Sequence, residues 1–495
     1  MLHTISPQDM QEMERAFLSG TGYPSLLLME HAAQAVVDCL ARFAKKGDRV
    51  LFVCGGGNNG GDGCAAARIW MQRGGKADVW LLTSPSKMKG DAGENARLLN
   101  VCGAGMTILY GDAPGIPENT AAIVDALFGT GLSRALEGAA LSAVQRMNES
   151  GLPVVAVDIP SGVDGQTGQA LGEAVKAAAT VTFHRPKHGH FLFPGRMLAG
   201  DVTVCDIGIL DEWDGAQGIE ILERDDAQAL LPVRTRDAHK GTFGHVLAVA
   251  GSEGMAGAAC LCADAAVRSG AGLVTAAVCA SVRIPMQTLA PCAMAKVVSS
   301  GGALDAQAAL PLYNLAQGKR ALAIGPGLSQ EEGVWRAISQ LVKSDIPKVL
   351  DADALNLLAL HGGGVGANTV LTPHPGEMAR LTGAEVSDIL AAPVDYARQL
   401  SDELDCVVLL KGATTVIARG EDVTLNVTGC DAMATGGCGD VLTGVIAGLL
   451  AQGMTPFDAA RCGAYYHGLA GESAAKERGS RAVSAWDVCQ ALRIE

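Results

Sequence analysis

Residues 49–63 read RVLFVCGGGNNGGDG. The run Arg49–Cys54 is short, apolar and rich in β-branched residues, and a glycine-rich turn follows it directly. A helical pattern then begins at Cys64, so the stretch predicts a strand that feeds a helix through glycines, the opening of a βαβ unit. Outward from it the same alternation recurs. Further strands are expected at Asp78–Leu82, Ala121–Asp125, Pro153–Asp158, Ala179–Phe183 and Val202–Asp206, with helices at Cys64–Arg73 and Asp91–Cys102. Before Arg49, Ser6–Phe17 and Leu26–Phe43 read as two helices, the first capped by Ser6 with Pro7 in its first turn.

The periodicity fades over Ile209–Arg236, where charges and isolated Gly and Pro predict a solvated linker over Asp211–Arg236 and a domain boundary near Gly215, within ten residues. Strands are expected again at His245–Ala250, Leu273–Cys279, Ala321–Ile324, Lys348–Leu350, Thr369–Leu371, Val407–Leu410, Val416–Arg419 and Val423–Val427. Late helices are expected at Gly439–Gln452, Pro456–Lys476 and Ser484–Arg493. The expected fold class is α/β, as two three-layer α/β/α domains over residues 1–215 and 225–495.

Composition agrees with this. Of 495 residues, 48% are hydrophobic, only 4% aromatic, and 63 are glycine, which favours layered α/β units with many tight turns. The net charge of −14 argues against a broad face for a nucleic-acid backbone. No apolar run is long enough to cross a membrane, and no secretory leader is visible at the start. The 14 cysteines lack paired CxxC spacing, and Cys260 and Cys262 read as packing residues. A soluble, cytoplasmic protein without nucleic-acid or membrane partners is expected.

Gly55–Gly60 literally satisfies G-x-G-x-x-G, yet the next strand ends Leu81-Leu82-Thr83-Ser84, without the ribose-binding acid of a dinucleotide fingerprint. Instead the loop carries Asn58, Asn59 and Asp62. Two further loops follow strands of the same expected sheet: AAIVDALFGTGLSRALEG (121–138), with Asp125 at the strand end, and VVAVDIPSGVDGQTG (154–168), with Asp158 there. Carboxyl ends of parallel strands are where ligands gather, so the three loops form one candidate constellation. The segment FHRPKHGH (183–190) holds three His, but their spacing matches no zinc pattern. In the second half, DAMATGGCGD (431–440) precedes the buried helical run VLTGVIAGLLAQG. Glycines and Asp440 at a helix N-terminus make an anion hole beside a carboxylate base, as phosphoryl transfer requires. No G-x-x-x-x-G-K-S/T loop competes for a nucleotide.

The NNGGDG, DALFGTGL and VDIPSGVDG segments resemble the NAD(P)H-hydrate epimerase family. The resemblance implies a Rossmann-like domain that interconverts the R and S hydrates of NADH and NADPH. It implies that Asn58, Asn59, Gly60, Gly61 and Asp62, with Gly129, Thr130, Gly131, Leu132, Ser133, Arg134 and Ala135, hold the hydrated cofactor. Asn59, Asp125 and Ser161 would surround a potassium ion. Asp158 would lie against the substrate as acid–base group, and Lys187 matches a position near the pocket. HKGTFGHVLAVAGS (239–252), AIGPGL (323–328), DADALN (351–356), LTPHPGEM (371–378) and LLKGATTVI (409–417) resemble ribokinase-like ADP- or ATP-dependent NAD(P)H-hydrate dehydratases. Carried over, Lys411, Gly412, Ala413, Thr414, Thr415 and Gly439 bind the adenine nucleotide. Gly257, Ala258, Gly327 and His374 contact the hydrate, and Asp440 is the catalytic base, assisted by Mg2+. Cys438 stands where many relatives have Ser or Thr. The resemblance also implies ADP as phosphoryl donor, release of AMP and phosphate, and a homo-oligomer. The rival expectation is a ribokinase-like small-molecule kinase with an accessory N-terminal ligand-binding domain.

Overall fold

The computed structural model describes residues 2–215 and 218–495, which fall into two compact units, His3–Ile219 and Glu220–Glu495, the latter together with Leu2. Ala216 and Gln217, beside the expected boundary, lie outside the described residues.

After a two-residue strand β1 (Leu2–His3), the first unit contains β2 (Arg49–Cys54), β3 (Lys76–Leu81), β4 (Gly105–Ile108), β5 (Thr120–Ala126), β6 (Val154–Val157), β7 (Ala179–Phe183) and β8 (Asp201–Cys205). They form a parallel sheet in the order β4-β3-β2-β5-β6-β7-β8. Successive side chains of a strand point to opposite faces. Val50, Phe52 and Cys54 accordingly pack with the helices Pro7–Thr21, Ser25–Leu40, Asn58–Gln72 and Gly90–Val101, whereas Leu51 and Val53 pack with Gly138–Glu149. Helices on both faces make this a three-layer, Rossmann-like domain. Strand order reverses between β2 and β5, so a crevice opens at their carboxyl ends.

The second unit contains β9 (Glu220–Ile221), β10 (His245–Val249), β11 (Leu273–Cys279), β12 (Met294–Ser299), β13 (Ala321–Ile324), β14 (Lys348–Leu350), β15 (Thr369–Leu371), β16 (Val407–Leu410), β17 (Thr415–Arg419) and β18 (Asp422–Asn426). From β9 onward the order is β9-β18-β17-β16-β15-β14-β13-β10-β11-β12, parallel except at β16/β17 and β17/β18. Val246, Ala248 and Ala250 share a core with the helices Ala256–Arg268, Cys438–Ala451 and Pro456–Arg478. The described residues contain no helix long and apolar enough to cross a membrane.

Two expectations need correction. The stretch 211–236 is not a solvated linker, because Glu220–Ile221 pairs with β18 and Arg224–Leu230 is a helix. Asp225 and Asp226 lie in the first turn of that helix and Glu220 pairs with Arg461, while Ile221, Leu222 and Ala227 are buried. Residues 220–224 therefore belong to the second unit. Strands β4 and β12 were missed, since each borders its sheet and carries exposed or part-exposed residues that blur the apolar signal.

Candidate functional sites

In the first unit, the loop after β2 meets the loop after β5. Gly55 N–H donates to the Ala126 carbonyl at 2.9 Å, and a Cβ on Gly55 would sit 1.9 Å from the Leu127 carbonyl oxygen. That contact admits only glycine, so here the glycine serves loop–loop packing, not ligand approach. Asp125, fully buried, accepts from Ser161 Oγ at 2.7 Å, from Ser161 N–H at 2.8 Å and from Leu127 N–H at 3.2 Å. Burial pushes its pKa up to about 6, against the lowering effect of those Ser161 bonds. Ser161 Oγ also accepts from Phe128 N–H at 2.9 Å.

Asp158 follows β6 in the left-handed region, φ +65°, a strained conformation for a non-glycine residue. Its Oδ1 accepts from Lys187 Nζ at 2.7 Å and Thr182 Oγ1 at 3.0 Å. Burial alone would raise the Asp158 pKa, but the Lys187 ammonium outweighs it and holds the carboxyl below its ordinary value. His190 Nε2 lies 2.8 Å from the Asp158 carbonyl, and its Nδ1 accepts from Lys187 N–H. Burial drives its pKa down to about 4, so His190 stays neutral and braces both residues of the pair. His188 instead meets Thr4, and His184 faces Asp214. The three His do not converge.

A cavity of about 780 Å³ opens over these groups, within the range of small-molecule sites. Asn58, Asn59, Asp62, Gly129, Thr130, Gly131, Leu132 and Asp158 line it. A Cβ on Gly129 would lie 3.1 Å from Asn59 Oδ1 and 3.4 Å from Asp158 Oδ2, which places the first and third loops at one point. Gly60 and Gly61 are buried beneath the cavity wall, where a Cβ would strike the Gly55 backbone or Ala92. Ser133, Arg134 and Ala135 are exposed and are not among the lining residues. Sequence reasoning missed one wall entirely: Gln11, Glu14, Arg15 and Leu18 of the helix Pro7–Thr21. Their i, i+3, i+4, i+7 spacing was the available signal.

The oxygen donors fit a monovalent cation. Asp125, Ser161 Oγ, the Phe128 carbonyl and the Asn59 amide offer hard oxygens with one formal charge. Asn59 Nδ2 is buried without a hydrogen-bond partner among the described residues, a donor free for an acceptor on a bound ligand and not a ligand for the cation.

In the second unit, the helix Cys438–Ala451 starts from Gly437, whose φ of +96° requires glycine. Asp440 lies in its first turn, and a Cβ on Gly439 would fall 3.4 Å from Lys411 Nζ and 3.5 Å from Asp351 Oδ2. Lys411 Nζ donates to Asp351 Oδ1 at 2.7 Å and faces Glu377 Oε2 at 3.7 Å. Asp351 also accepts from Thr372 Oγ1 at 2.9 Å and Thr443 Oγ1 at 2.8 Å. Burial, then the neighbouring Asp351 carboxylate, raise the Asp440 pKa to about 7, partly offset by Lys411. Asp440 thus titrates where a general base works best at neutral pH. Burial would lower the Lys411 pKa, yet Asp351 and Glu377 carry it above the ordinary value, so Lys411 is charged.

His374 caps the helix Pro375–Thr382, its Nδ1 accepting from Gly376 and Glu377 N–H, and half its side chain remains exposed. Gly327 packs against Ala258, whereas Gly257 is exposed at the start of its helix. Gly412 and Ala413 are exposed in the β16–β17 turn, Thr414 is buried and Thr415 begins β17. Asp351, Glu377 and Thr443 were missed as partners, although DADALN and LTPHPGEM flagged two of their loops. The described residues hold no cluster of three His, Cys, Asp or Glu suited to a metal.

Two family models match the chain: the YjeF-related protein N-terminus over residues 25–189 and NAD(P)H-hydrate dehydratase over residues 246–493. A bifunctional NAD(P)H-hydrate repair enzyme of Moorella thermoacetica is 40% identical, covering 99% of this chain and 96% of its own. The Escherichia coli K12 enzyme of the same name is 34% identical, covering 99% and 93%. Among solved structures, a ribokinase-like superfamily protein of Enterococcus faecalis is 26% identical with a TM-score of 0.51, covering 56% of this chain and 95% of its own. The second unit is therefore ribokinase-like, and the chain belongs to the family of bifunctional NAD(P)H-hydrate repair enzymes.

Proposed function

We propose that residues 1–215 epimerise the R and S hydrates of NADH and NADPH and that residues 225–495 dehydrate the S form at the expense of ADP, releasing AMP and phosphate. The observation that carries this reading is Asp440, a carboxyl titrating near pH 7 in the first turn of a helix whose amino end also meets Lys411. Asp440 deprotonates the ring hydroxyl while N–H groups of the helix end and the Lys411 ammonium stabilise charge on the transferring phosphoryl. Phosphate then leaves as the ring nitrogen donates its electron pair to form C=N, and loss of a proton from the adjacent ring carbon to solvent returns that pair to nitrogen and restores the dihydronicotinamide. Lys411, Gly412, Ala413, Thr414, Thr415 and Gly439 take the nucleotide, and Gly257, Ala258, Gly327 and His374 the hydrate. Mg2+ supplies charge neutralisation on the phosphates. Cys438 keeps a small side chain at the anion hole, so the backbone donors remain open.

In the first unit, Asp158 acts as acid–base group, oriented by Lys187, Thr182 and the His190–carbonyl bond. Asn58, Asn59, Asp62 and Gly129–Leu132 border the hydrated ring. Asn59, Asp125 and Ser161 would hold K+, which would supply a fixed positive charge to the site. Pairing the two activities lets a stereospecific dehydratase consume both epimers. The same reading takes the chain as a cytoplasmic homo-oligomer.

The test is recovery of intact-cofactor absorbance from mixed R and S NADH hydrates with K+, Mg2+ and ADP or ATP. Full recovery with stoichiometric free phosphate is expected. Recovery that stops at the S fraction removes the epimerase role. A stable phosphorylated product in place of phosphate favours the small-molecule kinase.

A further inference from the structure

The helix Pro7–Thr21 has two working stripes. Met10, Met13 and Phe17 are buried in the core of the first unit, which anchors the helix. Gln11, Glu14, Arg15 and Leu18 form the other stripe and line the cavity that also holds Asp62 and Asp158. This wall precedes residues 25–189, the span matched by the N-terminal family model. Glu14 therefore enters the site from a different element than the strand-end loops.

Epimerisation at a carbon bearing a hydroxyl beside a ring nitrogen needs a proton donor on the departing face and a proton acceptor on the other. Asp158, tied to Lys187, supplies one carboxylate. Resting on the epimerase reading above, we propose that Glu14 is the second acid–base group of this site. It protonates the hydroxyl leaving one face of the hydrated nicotinamide ring while Asp158 accepts the proton of the water adding to the opposite face.

The step balances. The C–O bond breaks with its electron pair to oxygen, the Glu14 proton completes a departing water, and the ring nitrogen pair forms C=N. A second water forms the new C–O bond, its proton passes to Asp158, and the C=N pair returns to nitrogen. One water leaves, one is added, and the two carboxyls have exchanged a proton that solvent resets. No oxidant or reductant is needed.

The surroundings of Glu14 shift it toward its protonated form. Burial, then the Asp158 carboxylate, raise its pKa, with Lys187 opposing. The charged groups around the cavity are Asp158 with Lys187 behind it, Asp62 on the helix Asn58–Gln72, Asp91 on the helix Gly90–Val101, and Arg15 on the helix of Glu14 itself. Asp62 is likewise pushed up by burial and then by Asp158 and Glu14, so carboxylates exceed the ammonium available to them.

The experiment supplies each NADH hydrate alone to the full chain with K+ and follows the epimer ratio by chromatography, after subtracting the uncatalysed rate. Glu14→Gln copies the protonated carboxyl in shape but donates no proton to an oxygen leaving group efficiently. Its kcat is expected to fall about 100-fold or more with KM within a few-fold and no loss of melting temperature. Glu14→Asp should retain an intermediate kcat. A native kcat in Glu14→Gln, a rise in KM alone, or loss confined to Asp62→Asn would each overturn the assignment while native epimerisation leaves the epimerase reading intact. A native chain that does not epimerise overturns both. If Glu14→Gln fails to fold, Glu14→Asp decides: a tenfold lower kcat at constant KM supports the role and a native kcat overturns it.

Discussion

Lys411 Nζ sits 2.7 Å from Asp351 Oδ1, and the other oxygen of that carboxylate accepts from Thr443 Oγ1 at 2.8 Å. One buried carboxylate thereby ties the end of β16 to the helix that carries Asp440. Thr443 Oγ1 also lies 3.0 Å from the Gly439 carbonyl, so its one proton is shared between the Asp351 carboxylate and the first turn of that helix. Asp351 is also the second cause, after burial, of the raised Asp440 pKa. Asp351 thus contributes to both the position and the basicity of the proposed base.

That coupling predicts the pH profile of dehydration. The reaction needs ionised Asp440, so kcat/KM should rise with pH through about 7 and level off above it. Removing the Asp351 charge in Asp351→Asn should move this limb to lower pH, even as activity falls because Lys411 loses its partner. A limb that stays in place in Asp351→Asn would refute the coupling.

Asp440→Asn should lower dehydration by about 10²–10⁴-fold and leave epimerisation nearly intact. Equal loss of both activities in a folded variant would sink the two-site scheme. The stability sign is also fixed. Since the folded pKa of about 7 exceeds the unfolded value of 3.8, the native chain loses stability as pH rises between them. Asp440→Asn escapes that cost, so its melting temperature should match the native chain near pH 4 and exceed it increasingly up to pH 8.

Asp158→Asn leaves the Lys187 ammonium, whose side chain is 2% exposed, without its carboxylate. Breaking such a pair costs about 3–5 kcal/mol, which a melting or urea experiment resolves. Because the folded Asp158 pKa is depressed, the pair's contribution should be present above the unfolded value near 3.8 and fade as pH falls below it. Adding Lys187→Met should restore much of the stability but none of the epimerisation. Restored epimerisation would show that the pair is structural only.

Potassium dependence reports on the second loop cluster. Epimerisation should weaken when sodium replaces potassium. Ser161→Ala should need more potassium for half-maximal rate, and Asp125→Asn should lose the response. A native rate indifferent to the cation would remove the ion from this site.

The two α/β units, the glycine loops and the carboxylates Asp125, Asp158 and Asp440 were legible in the chain because they are local signals. Strands buried on both faces are continuous apolar runs, and the loops that follow them carry their polar residues in consecutive positions. The motifs also named the family. What the sequence could not contain is which side chains meet across loops. The Lys187–Asp158 pair spans 29 residues, Lys411–Asp351 spans 60 and Thr443–Asp351 spans 92. Those pairings, the neutral His190 and the placement of Glu14 depend on burial and on strand order, because only the packed sheet brings separate strand ends together and excludes the water that would level their pKa values.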